Sequence, residues 1–247
     1  MSQLADGTSK RIPEQIEAEA LPRQTVGQAS PVQTPSAQGP RSAPGPKPDD
    51  TPVGMRLVAL VRAEPPNPRA IAAFLDGLTH AEQVEAISAL GGPGLQRRLY
   101  EAVKNAPRVT LADLVPADTP PLQEVIYEGK NSLPAFTRFQ KRFCRPPGAA
   151  GTAELWGYNH QTLAWLTGPG YFVVHDDARG AGIDYREVPA EHPDGWPSIQ
   201  GNDRGIPRLV YGDMVDYMRR VSRDVFIGSA HRNGTERGNF FVLCRKP

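Results

Sequence analysis

The sequence lacks the features that would direct it to nucleic acid or into a membrane. Its 247 residues carry a formal net charge of +1, so no basic field favours nucleic acid or an anionic membrane surface. No apolar run reaches the roughly 18 residues that a transmembrane helix needs. The first residues lack the basic and apolar regions of a secretory signal. We therefore expect a cytoplasmic protein with no membrane span and no nucleic-acid partner.

Cysteine is also scarce. Cys144 and Cys244 are the two cysteines, and they are too few and too far apart for a zinc or iron–sulfur pattern. In the reducing cytosol thiols stay free, so we expect two small buried apolar side chains, with a disulfide as the alternative. The sequence predicts no cofactor.

Aromatic residues are absent before Phe74, although the chain has three tryptophans, seven tyrosines and eight phenylalanines. Residues 1–53 hold nine prolines from Pro13 to Pro52, mixed with Gln, Ser, Ala, Gly and Thr. Proline removes backbone donors, and such a segment buries too little apolar area to offset the entropy of ordering. We therefore interpret residues 1–53 as a disordered, proline-rich tail.

Residues 54–118 have the patterns of a small helical region. Ile71, Phe74, Leu75 and Leu78 recur at helical spacing after Pro68. Thr79 can cap a second helix, with a glutamate three residues later, which is the spacing of a capping box. A further amphipathic helix is predicted over 95–105. The apolar faces of these short helices are thin, so we expect them to pack on the next domain.

Residues 119–247 contain most of the aromatic residues and short alternating runs separated by turn signals. The alternation indicates eight or nine antiparallel strands, and Asn233-Gly234 is a strong hairpin signal between the last two. A closed barrel or a sandwich fits this pattern, and we favour the barrel. The predicted strands are 124–127, 154–158, 162–166, 171–175, 183–188, 208–212, 215–222, 225–230 and 239–245. The predicted fold class is thus α+β, mainly β: tail, helical region and antiparallel barrel.

The run 132–143 is ambiguous between helix and strand. Phe136, Phe139 and Phe143 lie at helical spacing, and Ser132 can serve as the N-cap. Read as a strand, Phe139 and Phe143 would share a face with Lys141, which is poor patterning. We therefore predict a short amphipathic helix at the barrel mouth. Its basic residues would form a solvated face: Arg138, Lys141, Arg142 and Arg145.

The last strands carry a family resemblance. An acidic strand with Arg219 and Arg220, an aliphatic strand at 224–230 and a final aromatic–aliphatic run at 238–245 resemble the closing strands of lipocalin-like small-ligand barrels. The opening Gly-x-Trp motif of lipocalins is not in place, although Trp156 lies beside Gly157. The resemblance implies a barrel with an interior binding cavity and identifies no ligand.

Aromatic side chains with polar atoms are the predicted lining of that cavity, since small-molecule sites combine apolar walls with a few polar groups. If Arg219 points inward, it can bind a ligand carboxylate through two hydrogen bonds or pair with an acidic residue of the barrel. The aromatic residues can equally belong to the core. The predicted ligand-binding residues are Tyr158, Trp165, Tyr171, Tyr185, Tyr217 and Arg219.

Histidines supply the remaining candidates for chemistry. His160, His175 and Asp184 can form an acid–base or metal cluster if the barrel brings them together. His231 is the candidate axial ligand of a haem. Surface positions are the commoner alternative for both. No phosphate-binding loop and no serine nucleophile motif occurs.

Three functions follow from these patterns. The first is a barrel that binds a small ligand, either apolar or carboxylate-bearing, with no assigned reaction. The second is an interaction or regulatory module that contacts a protein partner through residues 1–115. The third is an enzyme with a His/Asp site at the barrel mouth.

Overall fold

The computed structural model describes residues 50–134, 137–148, 153–162 and 167–247. Residues 1–49 of the predicted tail, the candidate Trp165 and most of the predicted strand 162–166 lie outside the described residues. The first described helix begins at Val53, at the predicted end of the tail.

Six helices lie among the described residues, five of them in the predicted helical region. Asn67 begins α2 by accepting hydrogen bonds from the backbone N–H groups of Arg69 and Ala70. Thr79 and Glu82 form the predicted capping box at α3. The helices are α1 (Val53–Arg62), α2 (Pro68–Asp76), α3 (His80–Ser88), α4 (Gly92–Ala102), α5 (Leu111–Leu114) and α6 (Gly205–Tyr211).

Eight antiparallel strands form a closed barrel in sequence order, which confirms the predicted fold class. Each strand pairs with the next, and β8 returns to pair with β1. The predicted hairpin at Asn233-Gly234 is confirmed, because both residues have positive φ, 51° and 77°. The strands are β1 (Val125–Asn131), β2 (Arg138–Cys144), β3 (Glu154–His160), β4 (Phe172–Asp177), β5 (Gly180–Asp184), β6 (Met214–Arg220), β7 (Val225–Arg232) and β8 (Thr235–Arg245).

Two predictions of local structure are wrong. Residues 138–143 of the predicted helix 132–143 belong to β2, which pairs with β1 and β3 and is needed to close the barrel. Phe136 lies outside the described residues. Ser132 is not a helix cap, since its Oγ accepts a hydrogen bond from the backbone N–H of Phe240 at 2.9 Å. Residues 208–211 of the predicted strand 208–212 belong to α6, where Pro207 occupies the first turn and costs no intrahelical hydrogen bond.

The barrel interior is filled at one end. Inward side chains from all eight strands form an apolar cluster there, with edge-to-face ring contacts such as Tyr127–Phe143 at 5.3 Å. The Tyr127 hydroxyl donates a hydrogen bond of 2.7 Å to the carbonyl of Leu114, so α5 covers this end. On the opposite side of the sheet, outward residues of β7 and β8 share a second core with α1–α4.

Both cysteines are free and buried, as expected from the sequence. Cys144 lies in an outer cluster with Trp156 and Trp196, and Cys244 lies in the core that β8 shares with the helices.

Close ring packing inside the barrel depends on Gly157. A Cβ atom at this position would overlap the ring of Phe172 and the carbonyl of Arg142. We expect Gly157→Ala to lower the free energy of unfolding by about 1–3 kcal/mol, as overpacking does elsewhere. Gly94→Ala, at an open and exposed helical position, is the control and should raise it by about 0.5–1 kcal/mol. Urea unfolding measures both variants, and an unchanged stability of Gly157→Ala would contradict the packing.

Candidate functional site

The structure separates the predicted ligand-binding aromatic residues. Tyr185 lies inside the barrel, where its ring packs against Phe172 at 5.4 Å. Tyr158 and Tyr171 lie on the outer face, in a cluster with Trp196 at centroid distances of 4.8 and 6.2 Å. They are therefore core aromatic residues beneath the loop that follows β5.

Tyr217 and Arg219 also face outward. Tyr217 contacts the His231 ring at 5.0 Å and the Arg179 guanidinium at 3.6 Å. The inward orientation considered for Arg219 is wrong: its Nη1 donates a hydrogen bond of 2.7 Å to the Tyr100 carbonyl, and its guanidinium stacks 3.6 Å from the Tyr100 ring. Arg219 thus ties α4 to the outside of the barrel and has no contact with the interior.

The proposed His/Asp cluster does not assemble. His175 is opposite Glu154 in the β3–β4 ladder, six residues from His160, so the two histidines are about 20 Å apart along the strand. The side chain of His175 is 3.2 Å from Glu187, and Asp184 accepts a hydrogen bond of 2.9 Å from Arg186. These contacts direct the members of the predicted cluster to separate partners.

His231 also lies outside the cavity. Its Nδ1 is 3.2 Å from the Ser229 carbonyl, and its ring packs on Tyr217 on the outer face of β7. Within the described ranges, no group of three His, Cys, Asp or Glu side chains is placed to hold a metal ion.

The open end of the barrel holds a cavity of about 370 Å³. By surface area its walls are mainly apolar, although more than half of the lining residues are polar. Helix α6 and the start of the β1–β2 connection form part of its rim. The apolar lining residues are Leu133, Phe139, Leu209, Val210, Met214, Ala230, Phe240 and Phe241. The polar lining residues are Asn131, Lys141, Asn159, Gln161, Tyr185, Tyr211, Asp216, Arg232, Arg237 and Asn239.

Lys141 marks the boundary between the cavity and the filled end. Along β2 it lies between Phe139, which lines the cavity, and Phe143, which belongs to the apolar cluster. Its side chain is 2% exposed, and its Nζ is 3.5 Å from an oxygen of Asp216. Nζ donates hydrogen bonds to Asn159 Oδ1 at 2.9 Å and to the Tyr185 hydroxyl. Strands β2, β3 and β6 and the residue after β5 therefore converge on one amino group.

Aromatic rings surround the same ammonium. The rings of Tyr185, Phe172 and Phe241 have their centroids 4.9, 5.0 and 4.8 Å from Nζ. A cation over aromatic faces is stabilised by the ring quadrupoles, which partly compensates for its loss of water. Burial nevertheless lowers the pKa of Lys141 to about 8, with Asp216 opposing the shift.

Asp216 and Tyr185 complete the polar group. Burial raises the pKa of Asp216, against the opposing effect of the Lys141 charge, and burial raises the pKa of Tyr185 well above its usual value. Asp216 Oδ1 has no hydrogen-bond partner among the described residues. Lys141 therefore pairs with one carboxylate oxygen, and the hydrogen-bonding capacity of the other, buried oxygen is unused by the described residues.

Arg232 connects the cavity to its rim. Its Nη2 donates hydrogen bonds to the carbonyls of Leu209 and Val210 at 3.0 and 3.2 Å, which holds the end of α6 over the opening. Its buried Nε has no partner in the part of the chain that the structure describes. A second residue of the cavity lining thus has a buried polar atom whose hydrogen-bonding capacity is unused by the described residues.

Sequence reasoning missed Lys141 and Asp216 as site residues. Their common signal is a charged residue on an otherwise apolar strand face: Phe139-x-Lys141-x-Phe143 on β2 and Met214-x-Asp216-x-Met218 on β6. The first was interpreted as evidence for a helix. The second is hidden when Arg219, on the opposite face of β6, is considered as an inward residue, because Asp216 then points outward.

Comparisons with protein-family models, with curated protein sequences and with solved structures find no match to this chain. No helix in the described ranges has the length and apolar character to cross a membrane. The fold and the site together define an eight-stranded antiparallel barrel with an internal cavity and a buried Lys–Asp pair at its inner end.

The lowered pKa of Lys141 predicts a specific dependence of stability on pH. The pKa of Lys141 is about 8 in the folded protein, and its ordinary value is 10.5. Between these two pH values, the unfolded chain binds more protons at this site than the folded protein does. The contribution of Lys141 to the free energy of unfolding must therefore rise with pH in this window.

Urea unfolding of the wild type and of Lys141→Met at pH 7.5, 8.5 and 9.5 tests this dependence. The stability difference, wild type minus variant, should increase at each step, and Lys104→Met, at an exposed site, should show no such increase. A constant difference for Lys141→Met would contradict the burial of the ammonium.

Proposed function

We propose that this protein binds a small, mainly apolar molecule in the barrel cavity, with one polar end of the molecule directed at Lys141 and Asp216. The observation that carries the proposal is the position of this buried charged pair at the inner end of a mainly apolar cavity. Apolar walls with a few convergent polar groups and perturbed pKa values are typical of small-molecule sites.

The dimensions of the cavity support a ligand of modest size. A volume of about 370 Å³ lies at the lower end of the range for small-molecule sites. Phe139, Phe241 and Met214 supply apolar contact area, and Asp216 Oδ1 accepts a hydrogen bond from a ligand donor. For a carboxylate-bearing ligand, the cationic partners at the cavity are Arg232 and Arg237 in place of Arg219.

A purely structural role for the pair is the main alternative. A buried ion pair loses so much hydration that apolar residues of similar volume are often as stable or more so. Stability therefore gives little reason to place Lys141 and Asp216 in the interior, whereas a ligand with a polar end gives one.

The two other functions predicted from the sequence have less support. The His/Asp residues of the predicted enzyme site lie apart. Contact with a protein partner through residues 1–115 stays a prediction. In that region, the buried faces of α1–α4 are covered by β7 and β8.

A cavity-filling variant tests the proposal. The probe is N-phenyl-1-naphthylamine, a neutral apolar molecule whose fluorescence rises on transfer out of water. Ala230 lines the cavity and is paired with Asp216 across the β6–β7 ladder. We expect saturable probe binding to the wild type and a loss of at least tenfold in affinity for Ala230→Phe, because the new ring occupies the cavity.

Ala73→Phe makes the same substitution at an exposed position of α2 and should bind as the wild type does. Circular dichroism confirms that each variant is folded. Equal binding by Ala230→Phe and the wild type, or no saturable binding by the wild type, would overturn the proposal.

A further inference from the structure

We propose that Lys141 captures its ligand covalently, by forming an imine with a small apolar aldehyde held in the barrel cavity. This inference rests on the proposed function and adds the chemical class of the ligand and the bond that holds it.

Lys141 differs from the other described lysines in its surroundings. Lys104 and Lys246 are exposed and Lys130 is half-buried, whereas Lys141 is buried at the cavity. Imine formation needs an unprotonated amine in contact with the carbonyl carbon, and a desolvated lysine supplies that amine more readily than an exposed one.

The pKa of Lys141 determines the fraction of its side chain that is unprotonated at a given pH. With a pKa of about 8, roughly a tenth of Lys141 is neutral at pH 7, whereas about one in 3,000 lysines is neutral at the ordinary value of 10.5. The reactive fraction is therefore larger by a factor of about 300. The charged and titratable groups that face this site are Asp216 from β6, Tyr185 after β5, Tyr211 from α6, Arg232 from β7 and Arg237 from β8.

Asp216 is placed to move the protons that the reaction requires. The Lys141 ammonium first transfers a proton to Asp216, 3.5 Å away, and the neutral nitrogen adds to the aldehyde carbon. Transfer of a nitrogen proton to the former carbonyl oxygen then gives the neutral carbinolamine. Protonated Asp216 returns its proton to the carbinolamine hydroxyl, the C–O bond breaks and water leaves. The product is a protonated imine beside the Asp216 carboxylate, and no oxidant or reductant is consumed.

The Oδ1 atom of Asp216, which has no hydrogen-bond partner in the described part of the chain, has a role in these reaction steps. It lacks a donor among the described residues, and the hydroxyl of the carbinolamine supplies one. The aromatic rings around Nζ then protect the product, because exclusion of water slows imine hydrolysis.

Reductive trapping tests the inference on the full chain. The protein is incubated at pH 7 with trans-cinnamaldehyde and sodium cyanoborohydride, which reduces the protonated imine to a stable secondary amine. Intact mass and peptide mapping then give the site. We expect labelling of Lys141 at least tenfold faster than labelling of Lys104 or Lys130, and competition by N-phenyl-1-naphthylamine.

Variants separate the chemistry from the fold. Lys104→Arg should keep the fast labelling, and Lys141→Arg should lose it. Ala230→Phe retains Lys141 but fills the cavity, so it should also lose fast labelling while remaining folded by circular dichroism. This second variant keeps the test decisive if Lys141→Arg fails to fold.

Failure of the inference is distinguishable from failure of the proposed function. Saturable binding of the naphthylamine probe with no preferential label on Lys141 overturns the imine and leaves the binding cavity in place. Fast labelling of Lys141 that Ala230→Phe does not reduce also overturns capture within the cavity. Absence of both probe binding and labelling overturns the two proposals together.

Discussion

The pairing of β1 with β8 is the constraint on which the rest of the structure depends. Closure leaves no free sheet edge and gives the sheet an inside and an outside. Polar groups on the inner face then have little access to water and must find partners within the barrel, as Lys141 does with Asn159, Tyr185 and Asp216. The candidate site is therefore a consequence of closure, since its members come from strands far apart in sequence.

The interior has two parts with different physical roles. At the end covered by α5, rings and aliphatic side chains fill the space and supply the stability that a small domain needs. At the other end, the barrel holds a cavity, and α6, held by Arg232, forms part of its rim. Lys141 and Asp216 lie where these parts meet, so a molecule that enters the cavity meets the charged pair after passing the apolar walls.

Local signals predicted much of the fold. The capping box at Thr79, the hairpin at Asn233-Gly234 and the alternation along the last strands each act over a few residues, and each is observed. The barrel follows from the number of alternating runs. The site was harder to predict from the sequence. Of the predicted ligand-binding residues that the structure describes, only Tyr185 lines the cavity. Strand β2 was not predicted, because a lysine between two phenylalanines is poor patterning for a buried strand face unless the ammonium finds a partner inside the barrel.

The sequence by itself determined where most helices, strands and turns lie, because capping, periodicity and turn chemistry are short-range effects. The alternation of a strand also places Val215, Tyr217, Arg219 and Val221 on one side of the predicted strand 215–222. The tertiary structure alone decided that this side faces outward, since helices pack on it through Tyr100 and the adjacent core. The same long-range assembly brought Asp216 to Lys141 across 75 positions of sequence, a pairing that depends on barrel register and has no local signature.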